Sequence, residues 1–241
     1  MKYAILGDIH ANWEALQVVL EDAAREKVTH FACVGDVVGY AANPTECLEV
    51  IRKLDCPVVK GNHDEYASVD DECTNFRPMA ADAIRWTRRQ LSEENRQWLK
   101  DLKLIRFVES FSLVHATLDM PQKWGYVMDK LSAASSFSYQ NTAVCFYGHT
   151  HQPCVFIRDG VVKGGKQFDK LRIEKGKKYF INVGSVGQPR DGNPKAAYVI
   201  YDMIANVVTL KRLPYDILTA QKKIYTAGLP EKCATRLEIG K

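Results

Sequence analysis

No stretch of this 241-residue chain approaches the ~20 consecutive apolar residues that a bilayer-spanning helix needs. An integral helical membrane protein is therefore not expected. Nor does the N-terminus resemble a secretory signal, because Met1-Lys2 leads directly into Tyr3-Ala4-Ile5-Leu6-Gly7-Asp8, which turns polar too soon. The seven cysteines include no Cys-x-x-Cys pair, their number is odd, and several sit in apolar runs where a thiol packs as a small hydrophobe. A disulfide framework is not expected, and a reducing cytoplasm is the expected compartment. Charge of either sign is in short surplus: the net +4 mildly favours an anionic substrate but falls well short of what specific nucleic-acid binding requires. No repeat, low-complexity linker or composition break divides the chain, so residues 1–241 are expected to form one domain. Histidine is rare, with six in all.

What is present is an ordinary core-forming composition, 46% hydrophobic and 26% charged. Tyr3–Leu6, His30–Val34 and Pro57–Lys60 read as short buried strands. A helix capped by Asn12 and running to Arg25 lies between the first two, and a helix from Thr45 to Leu54, with Asn43 as cap and Pro44 at its start, precedes the third. Strand–helix alternation with short links predicts right-handed βαβ units on a parallel sheet. A two-helix excursion over about 76–103 follows, with Trp86 and Trp98 as packing anchors. Phe107–Val114 alternates as a strand, and 118–142 reads as an irregular loop or a wall over the site. Ala143–Tyr147, a hairpin about Asp159-Gly160, Phe180–Val183, Ala197–Tyr201 and Val207–Leu210 predict a largely antiparallel second half. A last helix is expected over Tyr215–Tyr225.

Five of the six histidines fall in a series of polar blocks, each at the end of a short β-rich run. The blocks are Asp8-Ile9-His10, Gly35-Asp36, Gly61-Asn62-His63-Asp64, His115 and Gly148-His149-Thr150-His151. Alone, each block has a plain structural explanation as a turn, an Asx motif or a helix cap. Together they place carboxylate, imidazole and amide groups at successive strand ends, where a parallel sheet gathers its ligands. Mixed oxygen and nitrogen donors suit divalent manganese, iron, zinc or nickel better than calcium or magnesium. No cysteine belongs to the set, which argues against a structural thiolate zinc site. His30 lies outside the series and is taken as structural.

This ordered set closely resembles the calcineurin-like metallophosphoesterases. Gly35-Asp36-Val37-Val38-Gly39-Tyr40 with Pro44, and the run from Asn182 to Gly192, resemble their prokaryotic single-domain branch of phosphodiesterases and dinucleoside polyphosphate hydrolases. The resemblance implies an α/β protein: a four-layer α/β/β/α sandwich of two mixed sheets flanked by helices. It implies two divalent transition-metal ions, manganese foremost, with Asp8, His10, Asp36 and His151 on one. Asp36 would bridge to a second held by Asn62, His115 and His149. Two such ions about 3.5–4 Å apart ready a water or hydroxide for in-line attack on phosphorus. His63 would stay off the metals and protonate the leaving oxygen, a role worth typically 10²–10⁴-fold. Asn12, Gln188 and Arg190 are candidate substrate contacts, with helix capping for Asn12 and a surface ion pair for Arg190 as the alternatives.

The departures narrow the substrate. Protein Ser/Thr phosphatases of that superfamily carry an Asp-Arg pair where Gly39-Tyr40 stand here, so a phosphoprotein phosphatase is disfavoured. The expected activity is hydrolysis of phosphodiester or phosphoanhydride bonds in small molecules, nucleotides foremost. A phosphomonoesterase is the rival within enzymes, and a non-catalytic scaffold of the same fold is the rival outside them.

Overall fold

The computed structural model describes residues 1–74 and 76–241. Two mixed sheets stack face to face, with helices against the outer face of each. The first sheet runs β2 (His30–Cys33), β1 (Lys2–Leu6), β10 (Ala196–Asp202), β11 (Val207–Leu213), β8 (Lys170–Arg172). The second runs β3 (Ile105–Val108), β4 (Phe111–Val114), β5 (Val144–Tyr147), β9 (Lys178–Asn182), β6 (Cys154–Asp159), β7 (Val161–Lys166).

Strand periodicity produces the layers. Along β1, Tyr3 and Ile5 point between the sheets, where they join Phe111, Leu113, Phe146 and Ile181. Ala4 and Leu6 point the other way, onto Leu16 and Val19 of α1 (Trp13–Arg25) and Leu48 and Ile51 of α2 (Pro44–Lys53). On the far sheet, Val114, Cys145, Tyr147 and Phe180 face Ala133 and Phe137 of α6 (Lys130–Tyr139). Each fully buried aliphatic or aromatic side chain in these layers contributes about 1.5–3 kcal/mol. The expected four-layer sandwich is the observed one.

Several expectations require correction. The third strand at Pro57–Lys60 reduces to two isolated parallel bridges, Cys33 with Val58 and Val59 with Lys103. Pro57 has no N–H to donate and α3 (Asn62–Ser68) starts at once, so only two residues remain for pairing. The Phe107–Val114 strand is a hairpin, β3 to β4, whose turn includes Glu109 at φ 49°. The 118–142 stretch contains α6, its helical period blurred by serines at 132, 135, 136 and 138 but its start fixed by the Asp129 cap. The second half is largely antiparallel, as expected, except that β4, β5 and β9 run parallel at the centre of the second sheet. Asn43 stands at the N-cap of α2 as expected, but its side chain makes no capping bond; its amide donates to Glu46 Oε1 at 2.7 Å.

The excursion is present as α4 (Pro78–Gln90) and α5 (Glu93–Asp101). Trp86 and Trp98 are partly buried against separate clusters. The final helix, α7 (Ile217–Thr226), is followed by an unexpected α8 (Glu231–Ile239). Together with α4 they pack around Tyr40 and Ala41, at one rim of the sheet edge that carries the polar blocks. No described helix is long and apolar enough to cross a membrane.

Candidate metal centre

Each polar block emerges where an element ends. Asp8 and His10 follow β1, Asp36 follows β2, Asn62 and His63 open α3, His115 follows β4, and His149 and His151 follow β5. Five of these, Asp8, His10, Asp36, His149 and His151, hold left-handed backbone angles of φ 49–66°. Such conformations cost on the order of 1–3 kcal/mol each in non-glycine residues and persist only when the surroundings enforce them. Here backbone hydrogen bonds do so: Asp8 N–H donates to Gly35, His10 to Asp36, Ala11 to Val37 and Gly148 to His115, each at 3.0 Å. Asn182 adds a side-chain tie, donating to the Gly148 carbonyl at 2.7 Å and to Thr150 Oγ1 at 3.0 Å. Two glycines are obligatory for close approach. A Cβ on Gly61 would lie 2.1 Å from Asp36 Oδ1, and one on Gly148 would lie 2.3 Å from Asp8 Oδ2.

The result is two groups of inward-facing donor atoms, Asp8–His10–Asp36–His151 and Asp36–His115–His149, sharing Asp36. In the first, His10 Nδ1–H donates to the Val38 carbonyl at 3.1 Å and His151 Nδ1–H to the Gln188 carbonyl at 2.6 Å. Burial pulls both imidazoles well below the usual histidine range, so each carries one proton and each has placed it on Nδ1. Their Nε2 atoms then face each other at 3.1 Å as two bare lone pairs, with Asp8 Oδ1 3.2 Å from His151 Nε2 and Asp36 Oδ2 3.5 Å from His10 Nε2. The carboxylates accept backbone N–H groups, Asp8 from His149 and Asp36 from His63, but with both Nδ1 protons turned to carbonyls neither facing Nε2 donates to the other.

The second group repeats the pattern. His149 Nε2–H donates to the Trp124 carbonyl at 2.9 Å, which leaves Nδ1 inward, 3.2 Å from His115 Nε2. His115 Nδ1–H donates to the Val34 carbonyl at 2.7 Å, and its Nε2 meets Asn62 Oδ1 at 3.1 Å and Asp36 Oδ2 at 3.4 Å. Burial acts to lower the His115 pKa, yet the Asp36 carboxylate overrides it and lifts the group to about 9. Burial likewise lifts the Asp8 carboxyl to about 7. Protons thus gather where converging acceptors ask for positive charge. The donor set and its carbonyl-anchored tautomers fit divalent transition metals.

His63 is buried and lines the same cavity, with its ring 4.4 Å from that of Tyr40 and 4.8 Å from that of His10. Its Nδ1 has no hydrogen-bond partner among the described residues. Burial lowers its pKa to about 4, against the opposing pull of Asp36. A carboxylate at position 39 is sterically excluded, since any Cβ there would lie 2.4 Å from His63 Nδ1. Asp64 does not take over as the orienting group. Its carboxylate is fully buried and accepts four backbone N–H groups, from Asp36 at 2.8 Å, Val37 at 2.9 Å, Gly61 at 3.0 Å and Val38 at 3.3 Å. It clamps the Asp36 loop to the start of α3, a role not anticipated from its place beside His63.

The three candidate substrate contacts separate. Asn12 is 1% exposed, caps α1 through Ala15 N–H, and donates to the Gly187 carbonyl at 2.8 Å and to Tyr215 Oη at 3.2 Å. Gln188 is equally buried, and its Oε1 accepts from Arg190 Nη2 at 2.8 Å. Neither side chain is part of the cavity lining. Arg190 does line it, with its guanidinium 5.6 Å above the Tyr40 ring. It makes no ion pair among the described residues, so the surface-pair alternative falls away. His30 is exposed and stacks on Tyr3 at 4.9 Å, away from the cluster.

The donor groups floor an open cavity of about 1090 Å³. Trp124, Tyr126 and Met128, from the stretch read as a loop or a wall, form one side, and Tyr126 stacks on His149 at 4.3 Å. Sequence reasoning missed Phe76, Arg77, Lys232 and Arg236, which line the other parts. No short motif marks them, and α8 announces itself only through the spacing of Cys233, Ala234 and Leu237.

Comparison with known proteins agrees with this geometry. The model of the calcineurin-like phosphoesterase superfamily domain matches residues 1–206. An uncharacterized protein of Methanocaldococcus jannaschii is 38% identical over 99% of this chain and 98% of its own. The crystal structure of a metallophosphoesterase from Sphaerobacter thermophilus superposes with a TM-score of 0.89 at 37% identity, covering all of both chains. A symmetrical bis(5'-nucleosyl)-tetraphosphatase of Coxiella burnetii is 28% identical over 50% of this chain and 42% of that enzyme.

Proposed function

Because the chain belongs to the calcineurin-like phosphoesterase superfamily, we propose that it is a dinuclear metal-dependent hydrolase of phosphodiester or phosphoanhydride bonds in small molecules, nucleotides foremost. Asp8, His10, Asp36 and His151 would hold one divalent cation, and Asp36, Asn62, His115 and His149 the other, with manganese foremost and iron, zinc or nickel as alternatives. The observation that carries this reading is the pair of neutral imidazoles whose bare Nε2 atoms face each other at 3.1 Å. For two neutral rings with their protons on Nδ1 that contact is repulsive, and a proton or a metal cation set against both nitrogens relieves it. Such cations supply an activated water and electrostatic stabilisation of the phosphoryl oxygens.

The protein's own groups do the rest. Val34, Val38, Gln188 and Trp124 carbonyls fix the four ligand tautomers. Arg190, held by Gln188 and stacked over Tyr40, is free to bind a phosphoryl oxygen. His63 faces the substrate without a carboxylate behind Nδ1 to stabilise its protonated form. A weakly supported acid suits a leaving group that needs little protonation. A departing phosphate, whose second pKa is about 6, is such a group. This favours anhydrides over esters of simple alcohols, and the partial match to a tetraphosphatase points the same way. The complete donor set speaks against a non-catalytic scaffold. The cytoplasm is our proposed compartment, supported by seven free thiols.

The test is turnover of a dinucleoside tetraphosphate, bis(p-nitrophenyl) phosphate and p-nitrophenyl phosphate by purified protein with manganese or after chelation. The expected result is metal-dependent hydrolysis in that order of preference, reduced about 10²–10⁴-fold in His63→Ala. Absence of turnover with manganese, iron, zinc and nickel alike would overturn the proposal.

A further inference from the structure

The cavity wall away from the donor cluster is strongly cationic. Arg77, Lys123, Arg190, Lys232 and Arg236 line the cavity, while Asp36 is its sole carboxylate lining among the described residues. That local excess equals the net +4 of the whole chain, gathered in one cavity. Arg77 precedes α4 and Lys232 and Arg236 sit on α8, so the group is assembled from distant segments. None of the three forms an ion pair with a side chain among the described residues; Arg236 donates Nε–H to the main-chain oxygen of Lys241 and keeps both Nη groups. Burial, then the Arg190 guanidinium, with Arg77 as a weaker repulsion, pull Arg236 below the usual arginine range. Like charges gathered on one wall, with Arg236 half-buried and Arg77 and Lys232 at the exposed rim, repel one another unless an anion sits between them. Arg190 spans the two regions, since its charge also bears on His63 and His151.

We propose that Arg77, Lys232 and Arg236 form an anion subsite that takes a second phosphate of the substrate, distinct from the one over the donor cluster. This rests on the phosphoesterase reading for its position but not for its existence. Arg236 supplies two Nη groups in a fork suited to phosphate oxygens, and Lys232 and Arg77 add mobile charge from the rim. Simple diesters leave the subsite empty, whereas a polyphosphate chain reaches it by way of Arg190. The subsite selects organic polyphosphates through residues of which two lie beyond the 1–206 region shared with the superfamily.

Calorimetric titration of chelated, metal-free protein with inorganic pyrophosphate tests the subsite without any turnover. Binding is expected in the wild type, weaker by tenfold or more in Lys232→Gln/Arg236→Gln. It should also weaken in Arg77→Gln/Lys232→Gln, whose two positions are exposed and not expected to disturb folding. Equal pyrophosphate affinity in all three proteins overturns the proposal, because an anion held at the donor cluster would be indifferent to these changes. With manganese, the ratio of kcat/KM for a dinucleoside tetraphosphate to that for bis(p-nitrophenyl) phosphate should fall about tenfold in Lys232→Gln/Arg236→Gln, and an unchanged ratio overturns it. If no substrate is hydrolysed but pyrophosphate binding still depends on α8, the phosphoesterase reading fails and the subsite stands.

Discussion

Two polar clusters in this protein, one half-buried and one fully buried, differ in how their atoms are paired. At the junction of α1, β10 and β11, the Asp22 carboxylate receives Tyr198 Oη–H at 2.7 Å, Arg25 Nη2 at 3.3 Å and the Lys211 ammonium at 3.3 Å. Lys211 also reaches Glu26 at 2.6 Å. There the carboxylate meets its donors. Between the ends of β1 and β5 the inward Nε2 atoms of His10 and His151 are lone pair facing lone pair, and the donors of the same histidines point away into backbone carbonyls. A polar cluster that satisfies itself contributes to stability; facing acceptors with no donor between them suit a cation.

The comparison can be broken most forcefully at Asp36. Asp36→Asn should cut metal-dependent turnover by more than about 10³-fold, since the shared carboxylate serves both groups. In chelated protein the same change should also lower the melting temperature at neutral pH, because it removes the carboxylate that holds the His115 proton in a buried site. An unchanged melting temperature would show that the site gains nothing from this carboxylate in the absence of cations. Asp64 tests the boundary between the two kinds. Asp64→Ala strips four N–H groups of their acceptor and should cost about 3 kcal/mol, or roughly 6–12 °C in melting temperature. Turnover should fall about 10–100-fold as the Asp36 loop loosens. Normal activity in a folded Asp64→Ala would separate the clamp from the site.

The smallest effect belongs to the self-satisfied cluster. Tyr198→Phe should cost about 1.5 kcal/mol at neutral pH and leave turnover within twofold. Burial would raise the Asp22 carboxyl, but the Tyr198 hydroxyl and Lys211 outweigh it and hold the group below its ordinary value. A depressed carboxylate contributes its stability above the unfolded pKa of about 3.9 and loses it as pH falls through the folded value. The Tyr198→Phe deficit should therefore be constant at neutral pH and narrow below about pH 4. Chemical denaturation across that range checks the sign.

The convergence of donor groups at strand ends was legible in the sequence because each of these residues lies within three residues of an apolar run. Strand periodicity on β1 and β5 announced which way their side chains point. The cavity walls were less legible. Arg77 and Arg236 meet only through tertiary packing of α4 on α8, and serines hid the period of α6. Asn12 and Gln188 read as substrate contacts because they flank the motifs, yet both are spent on backbone and on Arg190. Asp64 sits next to His63 in sequence but turns to the opposite side, because the first turn of α3 aims its carboxylate at the free N–H groups of Gly61 and the Asp36 loop.

The central claim is that two cations sit against the facing nitrogens. Anomalous-difference maps from manganese-soaked crystals test it directly. Two peaks per chain are predicted, one against His10 Nε2 and His151 Nε2 and one against His115 Nε2 and His149 Nδ1, both lost in Asp36→Asn. A map blank at both places, from crystals of the same fold, would contradict the account.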